Sequence, residues 1–188
     1  MEKKQIEVLC IGGSAGSFDV LMQLIPRIKA DIQFPIIIIL HRKSNPVSLI
    51  SDVFKKKTKL KVCECEEKEM LLPSTIYFAP ADYHILMEKN KSISLDYSEK
   101  VNYSRPSIDI AFKSIADIYQ EKTAAILLSG ANADGAAGLL HISKKNGTTI
   151  VQNPASAEVG YMPQQAINLF KPDYISEIPE MIEIINNL

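Results

Sequence analysis

A three-layer α/β fold built around a mostly parallel sheet is what this 188-residue sequence predicts, and two observations carry the expectation. Apolar runs of about five to seven residues alternate with longer segments of helical period, the order of parallel strands joined by crossover helices. The hydrophobic share of 46% suffices for one sizeable core, since a domain near this length hides roughly 70% of its unfolded surface. No internal repeat, low-complexity run or flexible linker interrupts the pattern, so residues 1–188 read as a single domain.

Residues 6–11 read as the first strand and 17–29 as a helix. Residues 35–40, Pro-Ile-Ile-Ile-Ile-Leu, have no polar alternation and read as a strand buried on both faces. Ser44-Asn45-Pro46 is a helix-start signal before residues 47–57. The middle of the chain differs. Residues 60–62, 75–79, 84–88 and 92–96 are short strand candidates separated by turn residues such as Asn90, which predicts a short antiparallel hairpin or meander inserted between helical units. Helical period returns at 107–119, where Ile108, Ala111, Phe112 and Ile115 share one face, and a buried strand follows at 124–128. A helix over about 134–145, a strand at 148–152 and a terminal helix complete the series.

Charge and cysteine content exclude several functional classes. Lysines and arginines number 21 against 22 acids, so no basic field exists to hold nucleic acid or an anionic membrane. The apolar stretch at 6–11 is too short for a signal-peptide core or a membrane span, which predicts a cytoplasmic protein without membrane insertion. Three cysteines, Cys10, Cys63 and Cys65, suit a reducing compartment better than a disulfide framework. Cys63-x-Cys65 lacks a second close pair, so alternation on a strand is the simpler reading and no metal is expected.

Chemistry concentrates at three strand ends. Gly12-Gly13-Ser14-Ala15-Gly16 fits the Gly-x-Ser-x-Gly pattern, follows a strand and opens a helix, the setting of a nucleophile elbow. Ser14 would stand at the carboxyl end of the sheet beside backbone N–H groups of Ala15 and Gly16 that can stabilise an oxyanion. A dinucleotide loop is the rival reading, but a Gly-x-Gly-x-x-Gly fingerprint from Gly12 would need glycines at 14 and 17, where serines stand. Taken alone, the loop leaves nucleophile, phosphate binding and plain turn all open. His41 directly follows the buried run 35–40, and Asp134 lies in the turn Ser129-Gly-Ala-Asn-Ala-Asp-Gly135 after the strand at 124–128. In an open parallel sheet these ends share one edge, where ligands collect. A serine hydroxyl needs a base, imidazole titrates near neutrality, and an aspartate can fix its tautomer. The bland alternatives are a hydrogen-bonded structural histidine and a turn-forming aspartate. The joint placement favours a serine hydrolase.

With these residues identified, the chain resembles the catalytic domain of the CheB-type chemotaxis receptor-glutamate methylesterases over nearly its full length. The likeness is carried by Ile11-Gly-Gly-Ser-Ala-Gly16, Ile39-Leu-His41, Tyr77-Phe-Ala-Pro-Ala-Asp-Tyr-His84, Ser104-Arg-Pro-Ser-Ile-Asp109, Leu127-Leu-Ser-Gly-Ala-Asn-Ala-Asp-Gly135 and Val151-Gln-Asn-Pro-Ala-Ser-Ala157 with Met162-Pro163. The resemblance implies a doubly wound parallel α/β domain that hydrolyses glutamate γ-methyl esters on the cytoplasmic helices of chemoreceptors, releasing methanol. Some relatives also deamidate glutamine there. It implies a triad of Ser14, His41 and Asp134, no cofactor, and a methylated chemoreceptor cytoplasmic domain as protein substrate.

Two departures from the family pattern bear on rate and substrate range. Ser14-Ala15-Gly16-Ser17 stands where the family commonly has Ser-Thr-Gly-Gly, and Gly130-Ala131-Asn132 where it commonly has Gly-Met-Gly. The methionine position is associated with the oxyanion site; if its backbone N–H is the donor, the resemblance implies that Ala131 can serve there, while Asn132 in place of glycine is expected to alter the loop's dihedrals. Family members often carry an N-terminal receiver domain. This chain begins within a few residues of the first strand, which implies a fragment or standalone form, or regulation by a separate signalling protein.

Other residues carry weaker expectations. Arg105 either holds acidic receptor side chains or pairs with Asp109. Met162 belongs to a family-like loop close to the active site. His84 either lines the cleft or packs structurally, the latter being simpler. His141 falls in a helix, away from the chemistry. Lys55-Lys-Lys57 reads as a solvated helix end. Two other classes stay open: a catalytically impaired binding module of the same fold, and a nucleotide-binding α/β protein using the Gly12 to Gly16 turn.

Overall fold

The computed structural model describes residues 5–42 and 50–188. Its centre is β1 (Val8–Gly13), buried along its whole length. β2 (Ile36–Leu40), β3 (Lys61–Glu64) and β4 (Thr75–Phe78) lie to one side. β7 (Thr123–Leu127), β8 (Thr148–Gln152) and β9 (Tyr174–Ser176) lie to the other. The order is β3-β4-β2-β1-β7-β8-β9, and every pairing in this sheet is parallel. A separate antiparallel hairpin consists of β5 (His84–Met87) and β6 (Ile93–Asp96).

Alternation along the strands divides the core in two. Leu9, Ile11, Ile36, Ile38, Ile76, Phe78, Ala124, Ile126 and Ile150 face one layer. It is covered by α1 (Ser17–Leu24), α2 (Ile50–Lys55) and α6 (Ile178–Asn186) through Leu21, Leu24, Phe54, Met181 and Ile185. The intervening residues Val8, Cys10, Ile37, Ile39, Tyr77, Ala125, Leu127 and Val151 face the opposite layer. There α3 (Ile108–Tyr119), α4 (Ala136–Lys144) and α5 (Tyr161–Leu169) cover the sheet, joined by Ile85, Met87 and Ile93 of the hairpin. Strands sandwiched this way need apolar residues on both faces, which is why their sequences lack polar alternation. The fold is the three-layer α/β class with a hairpin insertion.

Several expectations need correction. The strand candidates at 60–62 and 75–79 are not part of an antiparallel meander; they form β3 and β4 at the sheet edge, in parallel. Only the segments near 84–88 and 92–96 form the hairpin. The first helix stops at Leu24, and Ile25–Arg27, with Pro26 in it, continues as a 3-10 turn. The C-terminal region holds α5 and β9 as well as the terminal helix α6. The helix-start signal at Ser44-Asn45-Pro46 lies outside the described residues.

Candidate active site

The chain enters the sheet at its centre, winds outward to β2 and beyond, then returns to β7 on the other side of β1. That reversal leaves a crevice at the carboxyl ends of the central strands, where ligands of open α/β sheets bind. Gly13 is paired with Leu40, and the next residue along β2, His41, donates its backbone N–H to Gly13 O at 3.1 Å. On the other flank Leu128 N donates to Gly12 O at 2.9 Å, and Ser14 N donates to Ser129 O at 2.9 Å. Ser14 is therefore held between the ends of β2 and β7.

His41 Nε2 lies 2.8 Å from Asp134 Oδ2. His41 follows β2 and Asp134 follows β7, on opposite sides of β1, so this contact bridges the two strands that flank β1. The side chains of His41 and Asp134 are thus in direct contact, and the backbone of Ser14 lies at the neighbouring strand end, bonded to Ser129. Asp134 is fully buried. Its Oδ2 also accepts from Ile108 N (2.7 Å), while Oδ1 accepts from Ser107 Oγ (2.9 Å), Asp109 N (3.1 Å) and Asn102 Nδ2 (3.1 Å). Ser107 is the N-cap of α3, so the helix N-terminus points its free N–H groups at this carboxylate. Burial pushes the Asp134 carboxyl up, but the bonds from His41, Ile108 N–H, Asn102 and Asp109 N–H outweigh it and hold the group below its ordinary value.

A second buried carboxyl lies alongside. Asp109 accepts from Gly135 N (3.0 Å), Gly138 N (2.6 Å) and Asn102 Nδ2 (3.2 Å). Burial raises its pKa, the Gly138 N–H opposes the rise, and the charge of Asp134 adds to it. Asp109 therefore tethers the turn after β7 and does not pair with Arg105.

The turn at Ser14 is shaped by Gly16, which caps α1 with φ 79°. A side chain there would bring Cβ within 2.7 Å of Ser129 Oγ and Glu158 Cβ. Ser17 is fully buried, and both its Oγ and its N–H bond to Ser14 O. Its hydroxyl thus tightens the turn where the family commonly has glycine. The backbone N–H groups of Ala15, Gly16 and Ala131 have no acceptor among the described residues.

The loop carrying Ala131 is pinned by Gly130 N to Val159 O (3.0 Å) and Met162 N to Gly130 O (2.9 Å). Asn132 Oδ1 accepts from Asp134 N at 3.1 Å. Asn132 does not occupy the left-handed region, so it replaces glycine without backbone strain and adds an Asx turn. Met162, expected in a loop close to the active site and as a candidate substrate-lining residue, does not line the cleft. It is fully buried, and a Cβ on Gly130 would meet its Cε at 2.4 Å, so it supports the loop from beneath.

A cleft of about 630 Å³ adjoins His41, with Arg42, Asp82, Lys100, Tyr103 and Arg105 in its wall. Arg105 Nη1 donates to Ser98 O (2.7 Å) and Tyr97 O (3.2 Å), its guanidinium sits 3.7 Å from the Tyr97 ring centroid, and Nη2 lies 3.9 Å from Asp82. His84 is fully buried: Ser107 N donates to its Nδ1 (3.0 Å), and its Nε2 contacts Glu99 O (3.0 Å). It positions Ser107 and does not face the cleft. His141 pairs with Asp117 at the surface. Among the described residues no group of three or more His, Cys, Asp or Glu could hold a metal ion, and no helix is long and apolar enough to cross a membrane.

Sequence reasoning did not single out Asn102, Ser107 or Asp109 as partners of Asp134. Ser107 carries a readable N-cap signal, but nothing local shows that its hydroxyl turns to a residue 27 positions away.

Comparison with known proteins bears on these observations. The CheB methylesterase family model matches residues 9–185. A putative protein-glutamate methylesterase/protein-glutamine glutaminase of Leptospira interrogans is 35% identical over 182 residues, covering 97% of this chain and 94% of that protein. A protein-glutamate methylesterase/protein-glutamine glutaminase of Carboxydothermus hydrogenoformans is 34% identical over 168 residues, but the match spans only 49% of its length. The crystal structure of the Thermotoga maritima CheB methylesterase catalytic domain superposes with a TM-score of 0.92 at 27% identity, covering 97% of this chain and 98% of that one.

Proposed function

The chain belongs to the CheB methylesterase family, and on that premise we propose that it is a serine hydrolase that cleaves glutamyl γ-methyl esters on the cytoplasmic helices of chemoreceptors. The observation that supports this reading is the His41–Asp134 hydrogen bond at the carboxyl end of the sheet, beside the strand that leads into Ser14. Asp134, held ionised by its donors, accepts from His41 Nε2–H. The opposite ring nitrogen, Nδ1, then carries the lone pair and is the general base, the reverse of the ring orientation in the chymotrypsin-type triad.

In the proposed reaction Nδ1 takes the Ser14 hydroxyl proton as Oγ attacks the ester carbonyl. The oxyanion settles among the unpaired N–H groups of Ala15, Gly16 and Ala131, donors fixed before the reaction begins. Collapse expels methoxide, which the imidazolium protonates to methanol. Water, activated by the same nitrogen, then attacks the acyl-enzyme and releases the glutamate carboxylate. A glutamine amide fits the same cycle with ammonia as leaving group, in keeping with the paired activities in the relatives' names. Lys100 on the cleft wall faces acidic side chains of the receptor helix, while Arg105 beside it is held by Tyr97, Ser98 and Asp82. Such a substrate places the work in the cytoplasm.

Methanol release from a methylated chemoreceptor cytoplasmic fragment tests the reading. Wild type is expected to release it, and Ser14→Ala to abolish release. Equal release by both would sink the assignment, and silence from both would favour a non-catalytic binding module.

A further inference from the structure

Asn102 is exposed as a residue, yet its side chain reaches inward to the two buried carboxylates. One amide nitrogen donates to Asp134 Oδ1 at 3.1 Å and to Asp109 Oδ2 at 3.2 Å. We propose that Asn102 is a positioning residue for the proposed esterase reaction: its amide bridges Asp109 and Asp134, seals them from solvent, and keeps Asp134 aimed at His41.

Three features support the role. First, Asn102 and Tyr103 adopt left-handed backbone conformations, φ 50° and 62°, and the strap around them is tied back by paired backbone bonds between Val101 and Ser104 and by Arg105 to the carbonyls of Tyr97 and Ser98. The amide is thereby presented inward by a braced loop. Second, two carboxylates so close repel, and a shared donor is the arrangement that relieves them. Third, Oδ1 of Asp134 takes its other bonds from the start of α3, so Asn102 is the donor that fixes the carboxylate from the cleft side. The ionisable groups around the amide are Asp109 and Lys113 from α3, Asp134 from the loop after β7, His41 at the end of β2, and His84, one step removed through Ser107.

The inference rests on the esterase reading, so the test pairs turnover with a measurement that needs none. Asn102→Gly keeps the left-handed loop and removes the donor. Its kcat for methanol release should fall about 10- to 100-fold with KM little changed, the cost of losing a hydrogen bond to a charged group. Asn102→Asp also tolerates the backbone, but adds a third carboxylate. It should lose more than the glycine variant at pH 8 and regain activity relative to wild type toward pH 5.5, as the introduced carboxyl is protonated and becomes a donor. The low-field proton resonance of His41 Nε2–H should weaken or shift in Asn102→Gly whether or not the ester is cleaved. A residue that only shapes the loop predicts near-normal kcat, an unaltered pH profile and an unchanged resonance in both variants, and that result would overturn the proposal. Absence of turnover in wild type would overturn the esterase reading instead, leaving the resonance to decide on Asn102.

Discussion

Asp134 accepts five hydrogen bonds within a site from which water is excluded, and each of its two oxygens faces at least two donors. Asp134→Asn must therefore turn an NH2 group toward donors whichever way the amide is placed. Two effects are expected. Turnover should drop by about four orders of magnitude, as tautomer loss does in a serine triad, and stability by on the order of 3 kcal/mol. The stability loss has a defined pH window. The folded pKa of Asp134 is depressed, so its contribution is complete above the unfolded carboxylate value of about 3.9 and fades as pH falls through the lower folded value. Denaturant midpoints should show a constant gap between wild type and variant from pH 8 to about 5, and a shrinking gap below that; a gap that widens in acid would contradict the assignment. At this scale the sequence was informative where function follows strand ends. His41 directly follows a predicted strand, and Ser14 and Asp134 lie in the turns after two others, so topology directs all three to one sheet edge. Asn102 was not legible, because its role depends on a left-handed loop conformation and on partners 7 and 32 residues away.

Among the elements, the strands buried on both faces were the most legible, since β2 is an uninterrupted apolar run and β1 and β7 hold runs of four apolar residues, Val8 to Ile11 and Ala124 to Leu127. The short strands β3 and β4 were readable as strands but not as to their partners. Four residues with mixed exposure, as in β3, carry no signal for parallel or antiparallel pairing. The three-residue β9 lies below what periodicity can detect. Helix α5 shows how an element can serve the site without touching it. Its Met162 fills the space under Gly130 and its backbone N–H holds the Gly130 carbonyl, which fixes the loop that presents Ala131. Met162→Ala should cost about 2–5 kcal/mol through the cavity it opens, lowering Tm by on the order of 10 °C for a chain of this size. In the proposed reaction methanol release should fall along with it, since the loop proposed to offer the Ala131 N–H to the oxyanion loses its floor. A variant with the expected Tm loss but full turnover at low temperature would show that the loop holds its shape without Met162.

For the whole molecule, a sheet wound outward on both sides of β1 brings the ends of β2 and β7, with His41 and Asp134, to one edge, and the formal net charge of −1 supplies no overall attraction for an acidic partner. Any electrostatic attraction for an acidic receptor helix must therefore be local to the cleft wall. The cations there are not equivalent: Arg42 pairs with Glu64, and Arg105 is committed to Tyr97, Ser98 and Asp82, whereas Lys100 forms no ion pair among the described residues. A rim charge of this kind governs encounter more than chemistry and is screened over a Debye length of about 8 Å at physiological salt. In the proposed reaction Lys100→Glu should raise KM for a methylated receptor fragment by about 3- to 10-fold at low salt with kcat unchanged, and the gap from wild type should close as salt rises. Titrating KM against ionic strength for the two proteins checks this. A KM that is indifferent to both salt and the substitution would mean that the receptor helix approaches Ser14 from the side of Ala131, away from the cationic wall.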